Sequence, residues 1–289
     1  MSGTTCLFVS DLHGHEDRYR KLFRAIRSRR PAAVFLGGDL LPHVLSHRRA
    51  RGDEEGDFIR DVIARGLAGL RAEMGEAYPR LFAILGNDDP RSEEEAFART
   101  GAAGLWEYAH GRHLPWAAYD VYGYACVPPT PFRLKDWERY DVSRHVDPGC
   151  YPPEEGWHTV PTDEREIRNG TIQRDIDMLV GEGDLSRGIV LFHTPPYRTA
   201  LDRAALDGKH VDHAPLDVHV GSVAVRRFIE ERQPRVTLHG HVHESARITG
   251  EWRERIGRTW AFSAAHDGAE LAVVTFDPEE PGAARRDLV

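Results

Sequence analysis

Cysteine is scarce in this chain. Three residues, Cys6, Cys126 and Cys150, lie too far apart to form a disulfide framework or a CxxC metal site, so a reduced, cytoplasmic setting is expected. Basic charge is also in deficit: 38 Lys and Arg stand against 46 Asp and Glu, for a net charge of −8. That balance argues against a nucleic-acid platform or a binder of anionic membranes, either of which would carry a basic patch. No apolar run approaches the roughly 18 residues a membrane span needs. No basic, apolar leader opens the sequence either, and polar chemistry begins at Ser10-Asp11. There is no internal repeat of fixed period and no compositional break. A single domain over residues 1–289 is therefore expected. Hydrophobic residues at 40% and charged residues at 29% describe an ordinary globular chain, long enough for a sizeable core.

Several short apolar runs alternate with helical patterns. Residues 5–10 read as a buried strand that runs into Asp11-Leu12-His13-Gly14-His15. Tyr19, Leu22, Phe23 and Ile26 recur at helical spacing over 16–29, and Pro31 ends that helix. Residues 32–36 form a second strand, closed by Gly37-Gly38-Asp39, and this strand–helix–strand length favours a parallel pair. A further helix carries Phe58, Val62, Leu67, Leu70 and Met74. The strand at 81–85 stops at Gly86-Asn87-Asp88-Asp89. Residues 117–127 look strand-like. From 127 to about 170 proline density rules out regular structure while aromatics persist, which suggests an ordered excursion. A helix at about 163–181 leads to a strand at 188–192 and to His193-Thr194-Pro195-Pro196. A helix at 221–232 and a strand at 235–239 then deliver His239-Gly240-His241-Val242-His243-Glu244. Terminal strands are expected at 245–249, 258–263 and 270–276, with a frayed polar tail from 278.

The chemistry lies where the strands end. His241 and His243, two apart on an extended segment, can aim both imidazoles at one point, a usual arrangement for a transition metal. In a chain with 16 His one such pair is ordinary, as is a turn Asp in GGD or GND. Five apolar runs, however, end in metal-competent side chains: Asp11 and His13, Asp39, Asn87, His193, and His241 and His243. Ligands bind beyond the carboxyl ends of strands in open α/β sheets, so a single sheet would bring all five loops to one edge.

In order, these residues spell D-x-H, G-D, G-N-D, H and G-H-x-H, and the set resembles the calcineurin-like metallophosphoesterase superfamily from Asp11 to His243. The later stretches His193-Thr-Pro-Pro-Tyr197, His219-Val-Gly-Ser222 and Gly240-His-Val-His-Glu244 look closer still to the Icc-related phosphoesterase branch and to the metallophosphoesterase-domain proteins of animals. The resemblance implies a four-layer α/β/β/α sandwich with two mixed sheets, the C-terminal strands closing the second. It also implies two transition metals. Asp11, His13 and His243 would hold one, Asn87, His193 and His241 the other, and Asp39 would bridge them. Two such cations can clamp a phosphoryl oxygen and share a hydroxide nucleophile. With no Cys among the ligands Mn, Fe or Zn would fit. Hydrolysis of a small phosphodiester, such as a cyclic nucleotide, is the expected activity. A nuclease, or a scaffold of the same fold with little activity, is the alternative.

One position departs from the pattern. Where many members carry His after the Asn, this chain has Asp88, an acid with a reference pKa near 3.9 that nearby cations would hold ionised. Asp88 is thus a poor proton donor and repels a phosphate dianion. His219 is the candidate to supply the missing proton, the plain alternative being a surface residue preceding a helix. The excursion suggests a wall or lid with Phe132, Trp137 and Tyr140 stacking on a leaving group, or else simple packing against the sandwich edge. Arg133, Lys135 and Arg198 are candidate phosphate contacts.

Overall fold

A computed structural model describes residues 4–43 and 57–289. The apolar run β1 (Cys6–Val9) is wholly buried, and it leads through α1 (Glu16–Arg29) to β2 (Ala33–Gly37). Helix α1 carries Glu16 and Asp17 in its first turn and Arg27 and Arg29 in its last, the arrangement its dipole favours. It ends at Arg30 in the left-handed conformation, just before Pro31. A wide helical turn over Ile59–Ala64 continues into α2 (Arg65–Met74), and β3 (Arg80–Ile84) and α3 (Glu94–Gly101) follow. Then come β4 (Glu107–Tyr108), β5 (Arg112–Trp116) and β6 (Tyr119–Tyr124). The expected strand at 117–127 is thus the second arm of a hairpin, turned at Ala117 with φ of 52°.

The excursion from 127 is ordered but irregular until α4 (Glu164–Asn169). The helix expected over 163–181 is two helices, α4 and α5 (Ile172–Val180). Gly170 separates them, and Thr171 starts the second by accepting the N–H of Arg174. After β7 (Gly188–Phe192), a two-stranded hairpin of β8 (His210–Val211) and β9 (Ala214–Pro215) precedes α6 (Val223–Arg232) and β10 (Val236–His239). The strand expected at 245–249 is instead a short helix, α7 (Ser245–Thr249). Thr249 Oγ1 donates back to the Ser245 carbonyl, and Gly250 caps it at φ of 79°. The chain closes with β11 (Arg253–Ile256), β12 (Thr259–Ser263), β13 (Ala272–Phe276) and β14 (Arg285–Leu288). The tail expected to fray is therefore paired: β14 lies antiparallel to β13, and Arg286 donates to the Ala265 carbonyl.

The strands form two six-stranded mixed sheets, in the orders β14-β13-β1-β2-β3-β4 and β11-β12-β10-β7-β6-β5. One sheet was too simple an expectation: three of the five loops leave one sheet and two leave the other. The C-terminal strands also divide, β11 and β12 joining the second sheet and β13 and β14 edging the first. Aromatic rings fill the space between the sheets. Phe35 of the first lies 6.2 Å from Trp116 of the second, and Phe276 lies 5.7 Å from Phe262. On the second sheet's other face Phe192 meets Phe228 of α6 at 5.6 Å. Because β1, β2 and β3 run parallel, as do β7 and β10, each set delivers its loops to one edge.

Candidate metal centre and its cavity

The loops after β1 and β2 are tied together by backbone bonds, Asp11 N–H to the Gly38 carbonyl at 2.9 Å and His13 N–H to the Asp39 carbonyl at 2.8 Å. Asp89 fixes the loop after β3 against them. Its buried carboxylate accepts the N–H groups of Leu40 and Leu41 across the gap and of Gly86 in its own loop. Sequence reading passed over Asp89, whose only signal is its place as third residue of Asn-Asp-Asp. His193 reaches across from the second sheet, its Nδ1 donating to the Gly37 carbonyl at 2.8 Å. That bond leaves Nε2 to face Asn87 Oδ1 at 3.0 Å and Asp39 Oδ2 at 3.2 Å.

One ligand atom from each of Asp11, His13, Asp39 and His243 lies within 4.8 Å of the other three. The Nε2 atoms of His13 and His243 are 3.1 Å apart, and that of His243 is 3.2 Å from Asp11 Oδ1. Two imidazole nitrogens facing one another beside two buried carboxylates are a donor set with room for a cation, and its nitrogen and oxygen atoms suit a transition metal. Asn87 and His193 gather beside Asp39, and the rings of His193 and His241 are 5.3 Å apart. His241 is held by its backbone N–H, which donates to Asp11 Oδ1 at 3.0 Å.

The charges at this edge interact strongly. Burial alone would raise the Asp11 carboxyl, but the hydrogen bond and charge of His243 outweigh it and hold Asp11 well below the usual carboxylate range. Asp39 is held at about 2, where the charge of His193 overcomes burial. Burial works against His193 and His243, yet Asp39 pushes the first up to about 10 and Asp11 the second up to about 9. Burial and then the charge of His193 drive His241 down to about 3. Burial and the carboxylate of Asp39 push Asp88 up to about 7 in the metal-free protein; cations bound beside it would reverse that direction.

This edge forms one wall of a cavity of about 790 Å³, into which Asp39, Asn87, Asp88, His241 and His243 face. The excursion supplies a second wall from Pro128 to Cys150. A third wall, between Tyr197 and Val223, was not foreseen. His219 lines it, with Nδ1 bonded to Asp202 Oδ1 at 2.8 Å. Asp202 is fully buried and also accepts the N–H groups of Arg198, Thr199 and Gly221. No local motif announces it, since its partners come together only in the folded loop.

Other expected contacts are corrected. Trp137 is 1% exposed and donates Nε1–H to the Asp89 carbonyl at 2.8 Å, so it supports the ligand loop from behind and offers no stacking face. Tyr140 is 2% exposed, with its hydroxyl on Glu154. Lys135 is buried against Glu138, and Arg133 lies over the Tyr151 ring at 3.7 Å. Arg198 sits over the Tyr197 ring at 5.2 Å and is not among the residues lining the cavity. Phe132 does line it.

Two crystal structures resemble the chain over 99% of both lengths. One is 18% identical with a TM-score of 0.59. The other, TT1561 of Thermus thermophilus, is 16% identical with a TM-score of 0.56. At such identities the likeness bears on the fold alone. No curated protein matches the chain. The family model described as calcineurin-like phosphoesterase matches residues 4–245, a span that takes in every strand end of the metal edge and all but the last four strands, and the chain belongs to that family.

Proposed function

We propose that this phosphoester hydrolase is a dinuclear-metal phosphodiesterase acting on small diesters. Asp11, His13 and His243 would hold one metal, Asn87, His193 and His241 the second, and Asp39 would be shared by both. The observation that carries this reading is the convergence of these seven side chains, from five strand ends, at one edge, where Asp39, Asn87, His241 and His243 line a cavity. Bound there, two cations supply Lewis acidity toward the phosphoryl oxygens and a water of lowered pKa. Manganese, iron and zinc all suit the donors.

The chain's own residues favour a singly charged substrate. Among the described residues the cavity lining contains no Lys or Arg, and Asp88 lines it beside Asp39 and Asn87. A monoester dianion meets repulsion from Asp88, whereas a diester carries one negative charge fewer. Cyclic nucleotides meet that requirement, and they are the sequence-level candidates. A long nucleic acid does not, because its phosphates need a basic track. His219 would hand a proton to a departing alkoxide, a role supported by its place in the cavity lining and by Asp202, which engages Nδ1 and leaves Nε2 without that partner.

The test is hydrolysis of bis(4-nitrophenyl) phosphate by the Mn²⁺-loaded protein, compared with alkyl diesters and matched monoesters. Diesters are expected to turn over faster than alkyl monoesters; equal or faster monoester turnover would refute the preference. His219→Ala is expected to lower the rate on an alkyl leaving group about 10²-fold and to leave the nitrophenyl rate nearly intact. An unchanged alkyl rate removes His219 from the chemistry. A protein that binds no metal and turns over neither ester class is a scaffold.

A further inference from the structure

A phosphate and two metals would occupy only the Asp39 end of a cavity of about 790 Å³, a volume suited to a drug-sized ligand. The remaining space is bounded by Pro129, Phe132 and Val142 of the excursion and by Leu206, Val211 and Leu216 of the loop after β7. These two segments close on one another: a Cβ on Gly149 would stand 3.0 Å from Val211 and 3.8 Å from Leu216. Phe132 is 58% exposed and Val211 38%, although large apolar side chains are otherwise mostly buried in this protein.

Three carboxylates on these walls are already engaged, while His145 and Asp147, 3.4 Å apart, form an exposed polar pair. Asp141 accepts from Ser222 Oγ and the Val223 N–H, both at 2.6 Å. Asp217 accepts the Tyr197 hydroxyl at 2.6 Å, and Glu244 the Ala205 N–H at 3.0 Å. With those three carboxylates engaged and no Lys or Arg among the described lining residues, the cavity has little with which to hold a second phosphate. What it offers is apolar surface that water covers poorly.

We propose that the diester's non-reacting arm is a hydrocarbon, lodged between the Phe132 and Leu216 walls, and that its size sets substrate preference. This rests on the phosphodiesterase reading and narrows it from small diesters in general, nucleotides included, to those with an apolar arm. The cavity is continuous with the metal edge, so its occupant is part of the substrate.

The experiment holds the leaving group constant. With Mn²⁺-loaded protein, kcat/KM is measured for 4-nitrophenyl diesters whose second arm runs from methyl to hexyl, and for one whose arm is a nucleoside. Each buried methylene is expected to raise kcat/KM about threefold until the cavity is filled, with the nucleoside diester below the hexyl. Phe132→Ser, at an exposed position, and Leu216→Gln are each expected to lower the hexyl-to-methyl ratio threefold or more. A flat or falling series, or a nucleoside diester ahead of the hexyl, overturns the hydrocarbon arm while leaving diester hydrolysis standing. No turnover of any member overturns both.

Discussion

Four of the candidate ligands hold backbone conformations that their residue types rarely adopt. Asp11, His13, Asp39 and His241 have φ of 58°, 47°, 53° and 73°, in a left-handed region that costs a non-glycine residue of order 1–3 kcal/mol. The surrounding bonds over-determine these shapes, as the Asp11–Gly38 and His13–Asp39 backbone pairs illustrate. Away from the metal edge, His110 gives a titration that does not depend on metal. Its Nδ1 accepts the Ala125 N–H at 2.9 Å, and its ring packs on Tyr124 and Trp137. Burial, then the charges of Arg91 and Arg139, drive its pKa down to about 3 from a reference of 6.5. Below pH 6.5 the unfolded chain therefore binds a proton the folded one refuses. Stability present above pH 6.5 is lost as pH falls toward 3, by up to about 1.4 kcal/mol per pH unit. Denaturant unfolding of wild type and His110→Asn, which keeps an acceptor for Ala125, should differ by that slope. Parallel curves would mean that His110 protonates freely in the folded state.

Short loops at strand ends carry the candidate ligands, and glycine sets how closely those loops approach. A Cβ on Gly86 would stand 2.6 Å from the Asp39 backbone nitrogen and collide with Asp39 Oδ1. Gly86→Ala is expected to cost about 1–3 kcal/mol and to displace Asp39, so that Mn²⁺ content falls along with Tm. An unaltered Mn²⁺ content would show that the loop has slack. These strand ends were legible in the sequence because a buried apolar run followed at once by Asp, Asn or His is a local pattern. The outer walls were not. Trp137 looked like a stacking platform, and only the fold shows it buried against the Asp89 carbonyl. Asp202 and His219 meet across 17 residues of loop, a contact with no periodicity to betray it. Residues 245–249 misled for a related reason: a short run before glycine suits a strand as well as a helical turn, and backbone bonds decide between them.

At the scale of the molecule the two sheets share one aromatic interior, with Phe35, Phe82 and Phe276 against Trp116 and Phe262. We propose that the chain is one domain, and a single cooperative transition is expected by both near- and far-ultraviolet dichroism; two separated transitions would divide it. Metals held by the proposed ligands would touch residues of both sheets, so occupancy should also couple them. The decisive titration adds Mn²⁺ stepwise to metal-free protein and follows the initial rate on methyl 4-nitrophenyl phosphate. The rate should start at background and climb to a plateau at two equivalents per chain. A plateau at one equivalent, or background rates throughout, would contradict the dinuclear phosphodiesterase.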